Sequence, residues 1–156
     1  MEQLKGNLAS KKEEEPKQVD KNCLFCKIAN GQLPGSRVLY ESDGIAIFKD
    51  IRPAATHHYL VVPQKHVSDP KTLRRGDAEL VERLVTCGQE FLVKQGGDVS
   101  ETRLGFHWPP FNTVSHLHLH VICPASSMGW LASLIFRPNS FWFVSASWLI
   151  DRLKKM

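Results

Sequence analysis

Between residues 77 and 95 the apolar side chains Leu80, Val81, Leu84, Val85, Phe91 and Leu92 recur at intervals of three and four. That spacing gathers them on one face of a helix, and Gly96-Gly97 supplies its stop. The remaining pattern is shorter in period. Residues 23–30 read as a short helix ended by Gly31, with Pro34-Gly35 as the turn that follows. Residues 37–41 and 45–49 are strand-like runs on either side of Ser42-Asp43-Gly44, which reads as a hairpin. Arg52-Pro53 breaks the chain, and residues 58–62 form a β-rich run that Pro63 ends. Residues 103–106 predict another strand, Trp108-Pro109-Pro110-Phe111 a rigid loop, and 148–153 a short closing helix. This order predicts an α+β fold: a mainly antiparallel sheet with one long helix packed on it and a short N-terminal helix.

One strand departs from the usual polar alternation. Residues 115–122 read Ser-His-Leu-His-Leu-His-Val-Ile. Alternate side chains of a strand point to opposite faces, so His116, His118 and His120 share one face and Leu117, Leu119 and Val121 the other. The aliphatic face wants a core. The imidazole face needs a second reason, because three adjacent charged rings would repel. Neutral imidazole offers one donor and one acceptor, which suits a nucleophile with oriented neighbours, or a metal.

Composition narrows the class. The chain has 156 residues, 42% hydrophobic and 23% charged, which suits one globular domain. Residues 1–20 hold Lys-Lys-Glu-Glu-Glu-Pro-Lys and few large apolar side chains, so they are expected to form a disordered tail before a single domain over 21–156. From about 124 to 156 the chain is rich in aromatics, including Trp130, Phe136, Phe141, Trp142, Phe143 and Trp148. A cap on the core or a subunit contact is favoured for them over a wall of a substrate site. The net charge of +4 is scattered, with no Lys/Arg block of the kind that marks a dedicated nucleic-acid face. The mild positive field favours an anionic small-molecule substrate. No apolar run approaches the roughly 20 residues of a spanning helix, and no apolar signal region opens the chain, so a soluble intracellular protein without membrane contact is expected. In that setting Cys23, Cys26, Cys87 and Cys123 are expected to be reduced or metal-bound.

The His-x-His-x-His run followed by two apolar residues resembles the signature of the histidine triad superfamily. Four more segments carry the resemblance: Cys23-Leu-Phe-Cys-Lys-Ile, Ile47-Phe-Lys-Asp-Ile-Arg-Pro53, His58-Tyr-Leu-Val-Val-Pro-Gln-Lys-His66-Val, and Thr113-Val-Ser before the triad. They look like the family's nucleotide-hydrolase branch, and the aromatic C-terminus is most similar to the third group of its nucleotide-binding proteins. The resemblance implies a hydrolase of the adenosine 5′-monophosphoramidase type. It would cleave the P–N bond of purine nucleoside monophosphate conjugates, and hydrolyse aminoacyl-adenylates, through a covalent nucleotidyl-histidine. It implies His118 as nucleophile, His120 and His58 as donors to phosphate, and His116 as the remaining triad member. Asp50 would take the ribose hydroxyls, Ile51 and Phe48 the base, and Thr113 the phosphate or the departing amine. For Asp50, a turn-forming role ahead of Arg52-Pro53 is equally open on spacing alone.

The same resemblance implies no cofactor for the chemistry. It does raise a structural zinc held by Cys23, Cys26, His66 and His116, against a reading of the two cysteines as small buried residues. It further implies a homodimer or higher homo-oligomer, in the cytoplasm and also the nucleus. Two departures concern the leaving-group side: Phe111-Asn112-Thr113 stands where relatives carry Gly-Gln-Ser, and His107 lies near the place of an Asn. Competing readings are aprataxin-like deadenylation of nucleic-acid ends, a non-catalytic nucleotide-binding or interaction module, and a zinc protein that uses the triad as ligands only.

Overall fold

The computed structural model describes residues 19–156. The tail expected over 1–20 lies almost wholly outside them. Helix α1 (Leu24–Ala29) is followed by strands β1 (Tyr40–Ser42), β2 (Ile45–Lys49) and β3 (His57–Pro63), then helix α2 (Ala78–Lys94) and strands β4 (Arg103–His107) and β5 (Leu119–Cys123). Helix α3 (Trp130–Ile135), strand β6 (Phe143–Ser145) and helix α4 (Ala146–Lys154) complete the chain. All six strands form one antiparallel sheet in the order β1-β2-β3-β5-β4-β6. The predicted α+β fold, with its long helix and its short N-terminal one, is the fold observed.

The two faces of the sheet bury different helices. On β2 and β3 the side chains alternate strictly. Ile45, Ile47, Tyr59 and Val61 join Val81, Leu84 and Leu92 of α2 in the main core. Ala46, Phe48, Leu60 and Val62 pack against Phe25, Cys26 and Ala29 of α1 on the opposite side. The hairpin turns at Asp43 and Gly44, both with positive φ (50° and 77°), the backbone pair a two-residue turn of this hand requires. At Gly88 a Cβ would stand 3.0 Å from side-chain methyls of both Val121 and Val61, so its absence lets α2 lie close on the sheet without shifting them.

The sequence expectation for the histidine stretch needs one correction. Regular pairing covers only Leu119–Cys123, so His116, in a bend, and His118 lie in the irregular chain just before the strand. The cause is local. The β3–β5 ladder ends at Val61 and Leu119, and the Leu117 N–H donates instead to the Val67 carbonyl (2.7 Å) in the connection after β3. The alternation survives, with Leu117, Leu119 and Val121 all in the main core.

The aromatic C-terminal segment is part of the sheet. Edge strand β6 pairs with β4, and α4 packs on α2 with an ion pair between Lys154 and Glu82. A Cβ at Gly105 of β4 would fall 2.4 Å from the Phe143 ring and 2.5 Å from the Val144 carbonyl, so glycine is what allows β6 to dock. Among the described residues no helix is long and apolar enough to cross a membrane.

Candidate active site

Strand β5 and the chain before it bring His116, His118 and His120 into one buried row. Neighbouring strand β3 adds His58, and the end of β2 adds Asp50. His116, His118 and His58 each meet a backbone group whose hydrogen-bonding role is fixed, so the protonated nitrogen can be assigned. The His118 Nδ1–H donates to the His116 carbonyl at 2.6 Å, which leaves the Nε2 lone pair unclaimed. The His116 Nε2–H donates to the Pro63 carbonyl at 2.8 Å, which turns its Nδ1 towards the cysteines. The Ala54 N–H donates to His58 Nδ1 at 2.9 Å, so His58 carries its proton on Nε2 and donates it to His120 Nδ1, also at 2.9 Å.

Burial keeps this row neutral. It holds His118 down to about 4 and His120 well below the usual imidazole range. His58 and His116 are lowered for the same reason, with Asp50 pulling His58 partly back. A neutral ring with its Nδ1–H tied to backbone is a competent nucleophile at neutral pH. A narrow cleft beside His118 is lined by Ser68, Asp69, Phe106, His107 and Asn112. Thr113 is exposed and not brought to this cleft, while its neighbours Asn112 and Val114 are.

Asp50 divides its two oxygens. Oδ1 accepts the Arg52 N–H at 2.8 Å, the turn-forming role, and Oδ2 lies 3.3 Å from His58 Nε2 and 3.9 Å from His120 Nδ1. Phe48 is buried edge-on against Phe25 (5.3 Å between centroids), and Phe25 stands edge-on to His118 at 5.0 Å. Ile51 projects into solvent at the end of β2, 93% exposed.

At the other end of the row, Cys23, Cys26, His66 and His116 converge, with their four ligand atoms all within 4.8 Å of one another. Both sulfurs lie 3.3 Å from His116 Nδ1, and Cys26 Sγ is 3.3 Å from His66 Nδ1. Two thiols and two imidazoles at these separations fit a tetrahedral zinc, and the Pro63 carbonyl supplies the outer hydrogen bond such a His ligand needs. Burial raises the Cys26 thiol to about 11, a penalty that a bound dication would reverse.

Two further residues touch the row. His107, at the end of β4, sets its Nδ1 3.3 Å from His120 Nε2 and its own Nε2 3.2 Å from the Ile135 carbonyl. Phe136, just past α3, packs on His58, His107 and His120 with centroids 5.1–5.3 Å apart. The C-terminal segment is therefore both a cap and a wall of the site. On sequence alone a wall ranks below a cap or a subunit contact for these aromatics, and the position of His107 near a family Asn is the other hint.

Residues 22–135 match the family model described as scavenger mRNA decapping enzyme C-terminal binding. A *Xenopus tropicalis* protein named adenosine 5′-monophosphoramidase HINT3 is 50% identical over 136 residues, covering 86% of this chain and 89% of that one. An *Arabidopsis thaliana* protein named bifunctional adenosine 5′-phosphosulfate phosphorylase/adenylylsulfatase HINT4 is 41% identical, covering 65% and 70%. The solved structure of a histidine triad protein from *Clostridium difficile* superposes with a TM-score of 0.62 at 31% identity, over 66% of this chain and 90% of that one. With a neutral imidazole at His118 beside a cleft and two more rings of the triad in the same buried row, and with these relatives over most of its length, the chain belongs to the histidine triad family.

Proposed function

We propose that this protein is a nucleoside phosphoramidate hydrolase of the adenosine 5′-monophosphoramidase type. The observation that carries the reading is the His118 ring, with its Nδ1–H bound to backbone at 2.6 Å and its Nε2 lone pair left for attack. In the proposed first step Nε2 forms a bond to the α-phosphorus of a purine nucleoside monophosphate conjugate. The P–N bond breaks, and the amine leaves with the bonding pair and takes up a proton. Water then attacks the same phosphorus, releasing the nucleoside monophosphate as the P–Nε2 bond breaks with its pair returning to His118. The proton that this water loses to solvent balances the one the amine took from it. Splitting one displacement into two lowers each barrier. His120 supplies an N–H donor for the charge that develops on the phosphoryl oxygens, and His58, whose own N–H is given to His120 Nδ1, holds that ring in place. Asp50 takes the ribose hydroxyls, its Oδ2 exchanging the His58 contact for them, and Phe48 and Ile51 flank the base. An aminoacyl-adenylate enters the same sequence with a carboxylate as leaving group.

Cys23, Cys26, His66 and His116 hold a structural zinc in this reading. All four positions are then filled by protein, so the ion braces the chain that carries His118 and takes no part in the reaction. The domain spans 21–156, with its C-terminal part from about 124 included, and assembles as a homodimer.

Brief mixing with an adenosine phosphoramidate, an acid quench and intact-protein mass measurement test the chemistry. The expected result is a mass gain of one AMP, mapped to His118. Full turnover by a His118→Ala variant would overturn the mechanism. The identity to the *Arabidopsis* protein favours a second reading in which adenosine 5′-phosphosulfate is attacked at the same phosphorus and sulfate departs. Side-by-side rates on the phosphosulfate, the phosphoramidate and adenylated nicked DNA rank the three, and an absence of turnover on all leaves a binding module.

A further inference from the structure

His58, His120 and His107 form a single file of rings. At one end the Ala54 N–H can only donate, and it enters at His58 Nδ1 (2.9 Å). At the other end the Ile135 carbonyl can only accept, and it receives the His107 Nε2–H (3.2 Å). Three neutral imidazoles strung between a donor and an acceptor of fixed kind can carry their protons in one arrangement. His58 then donates from Nε2 to His120 Nδ1 (2.9 Å), and His120 donates from Nε2 to His107 Nδ1 (3.3 Å). Both ends impose the same direction. His120 is consequently held with an N–H, and not a lone pair, turned towards His107, which is itself one of the residues that line the cleft beside His118.

The contact between His120 and His107 is the long one in the file, and their rings stand edge to face at 89°. At 3.3 Å this hydrogen bond is longer than the usual range and weaker for it, so an incoming phosphoryl oxygen can take over the donor. A buried imidazole N–H left with no acceptor would turn away or be lost to the other nitrogen. His107 Nδ1 supplies that acceptor. Its own ring is set by Phe136 and Phe143, with centroids 5.2 and 5.1 Å away, and by the carbonyl of the segment after β5.

We propose that His107 is a positioning residue for this reaction: it keeps His120 in the donor-presenting tautomer and ties that tautomer to the backbone of the C-terminal segment at Ile135. The inference rests on the hydrolase reading for its consequence, but not for its geometry.

Two variants separate positioning from packing. His107→Phe keeps an aromatic ring among Phe136 and Phe143 and deletes the acceptor; His107→Asn loses ring volume and retains a carbonyl that can accept. The expected result is a fall in kcat of about tenfold or more for His107→Phe, with KM within about threefold, and recovery of most of kcat in His107→Asn. Equal impairment of both variants, or wild-type kcat in His107→Phe, would overturn the proposal. Imidazole ¹⁵N NMR of the unliganded wild-type protein supplies a readout that needs neither turnover nor a stable variant. His120 is expected to show a protonated Nε2 and an unprotonated Nδ1, and the opposite tautomer would also overturn the proposal. A wild-type protein without phosphoramidate turnover but with that NMR signature would instead count against the hydrolase reading.

Discussion

His116 and His118 stand two residues apart on one stretch of chain, both buried, and each gives one ring N–H to a backbone carbonyl. They differ in which nitrogen is given. His116 spends Nε2 on Pro63 and turns Nδ1 into a closed nest of thiols. His118 spends Nδ1 on His116 and turns Nε2 to the cleft. The same side chain thus becomes a candidate ligand or a candidate nucleophile according to a single backbone hydrogen bond. The surroundings follow suit: soft sulfur donors at one end, and at the other a carboxylate, further imidazoles and an opening to substrate.

The comparison can be broken most severely at the open end. His118→Ala is expected to lower kcat/KM for an adenosine phosphoramidate by about 10⁴-fold or more while AMP binding persists, measured by fluorogenic turnover and calorimetry. At the closed end, Cys26→Ser is expected to remove bound zinc, read by elemental analysis, and to lower the thermal midpoint by roughly 5–10 °C. Its kcat should fall by no more than about tenfold, since the ion acts at one remove from the nucleophile.

Acid should act on both ends together. His58, His107, His116, His118 and His120 all have lowered folded-state values, with burial the first cause in each case. Between the unfolded imidazole value of about 6.5 and the folded His118 value of about 4, the unfolded chain binds more protons. The stability these neutral rings contribute is therefore complete above about pH 6.5 and is lost as pH falls towards 4. A thermal midpoint about 5 °C lower at pH 5 than at pH 7.5, followed by circular dichroism, is the expected outcome, and an unchanged midpoint would contradict the assigned neutrality. The smallest effect belongs to the rim. Asp50→Asn should raise KM roughly tenfold with kcat within about threefold, and should remove the wild-type preference for a ribose over a 2′-deoxyribose substrate.

Much of this was legible in the sequence because the signals were local. The three- and four-residue spacing of Val81, Leu84 and Leu92 placed α2, and Asp43-Gly44 placed the hairpin. The alternation of His and Leu placed the two faces of the β5 stretch even though regular pairing starts only at Leu119. What was not legible depends on distant partners. Strand β6 is three residues long and exists because Gly105 makes room for Phe143. Phe136 reaches His58 across 78 positions of sequence (136 − 58), and neither residue carries a sign of the other. The division of Asp50 between Arg52 and His58 could not be read from spacing, since each role alone accounts for an Asp at that place.

The docking of β6 along β4 has a genetic corollary. A frameshift or premature stop between Cys123 and Ile135 would leave every motif of the triad intact on paper. Yet it would strip β4 of its outer neighbour, Phe136 of its place over three imidazoles, and His107 of the Ile135 carbonyl. Such alleles should be read as loss of the catalytic centre itself, and not as the trimming of a dispensable end.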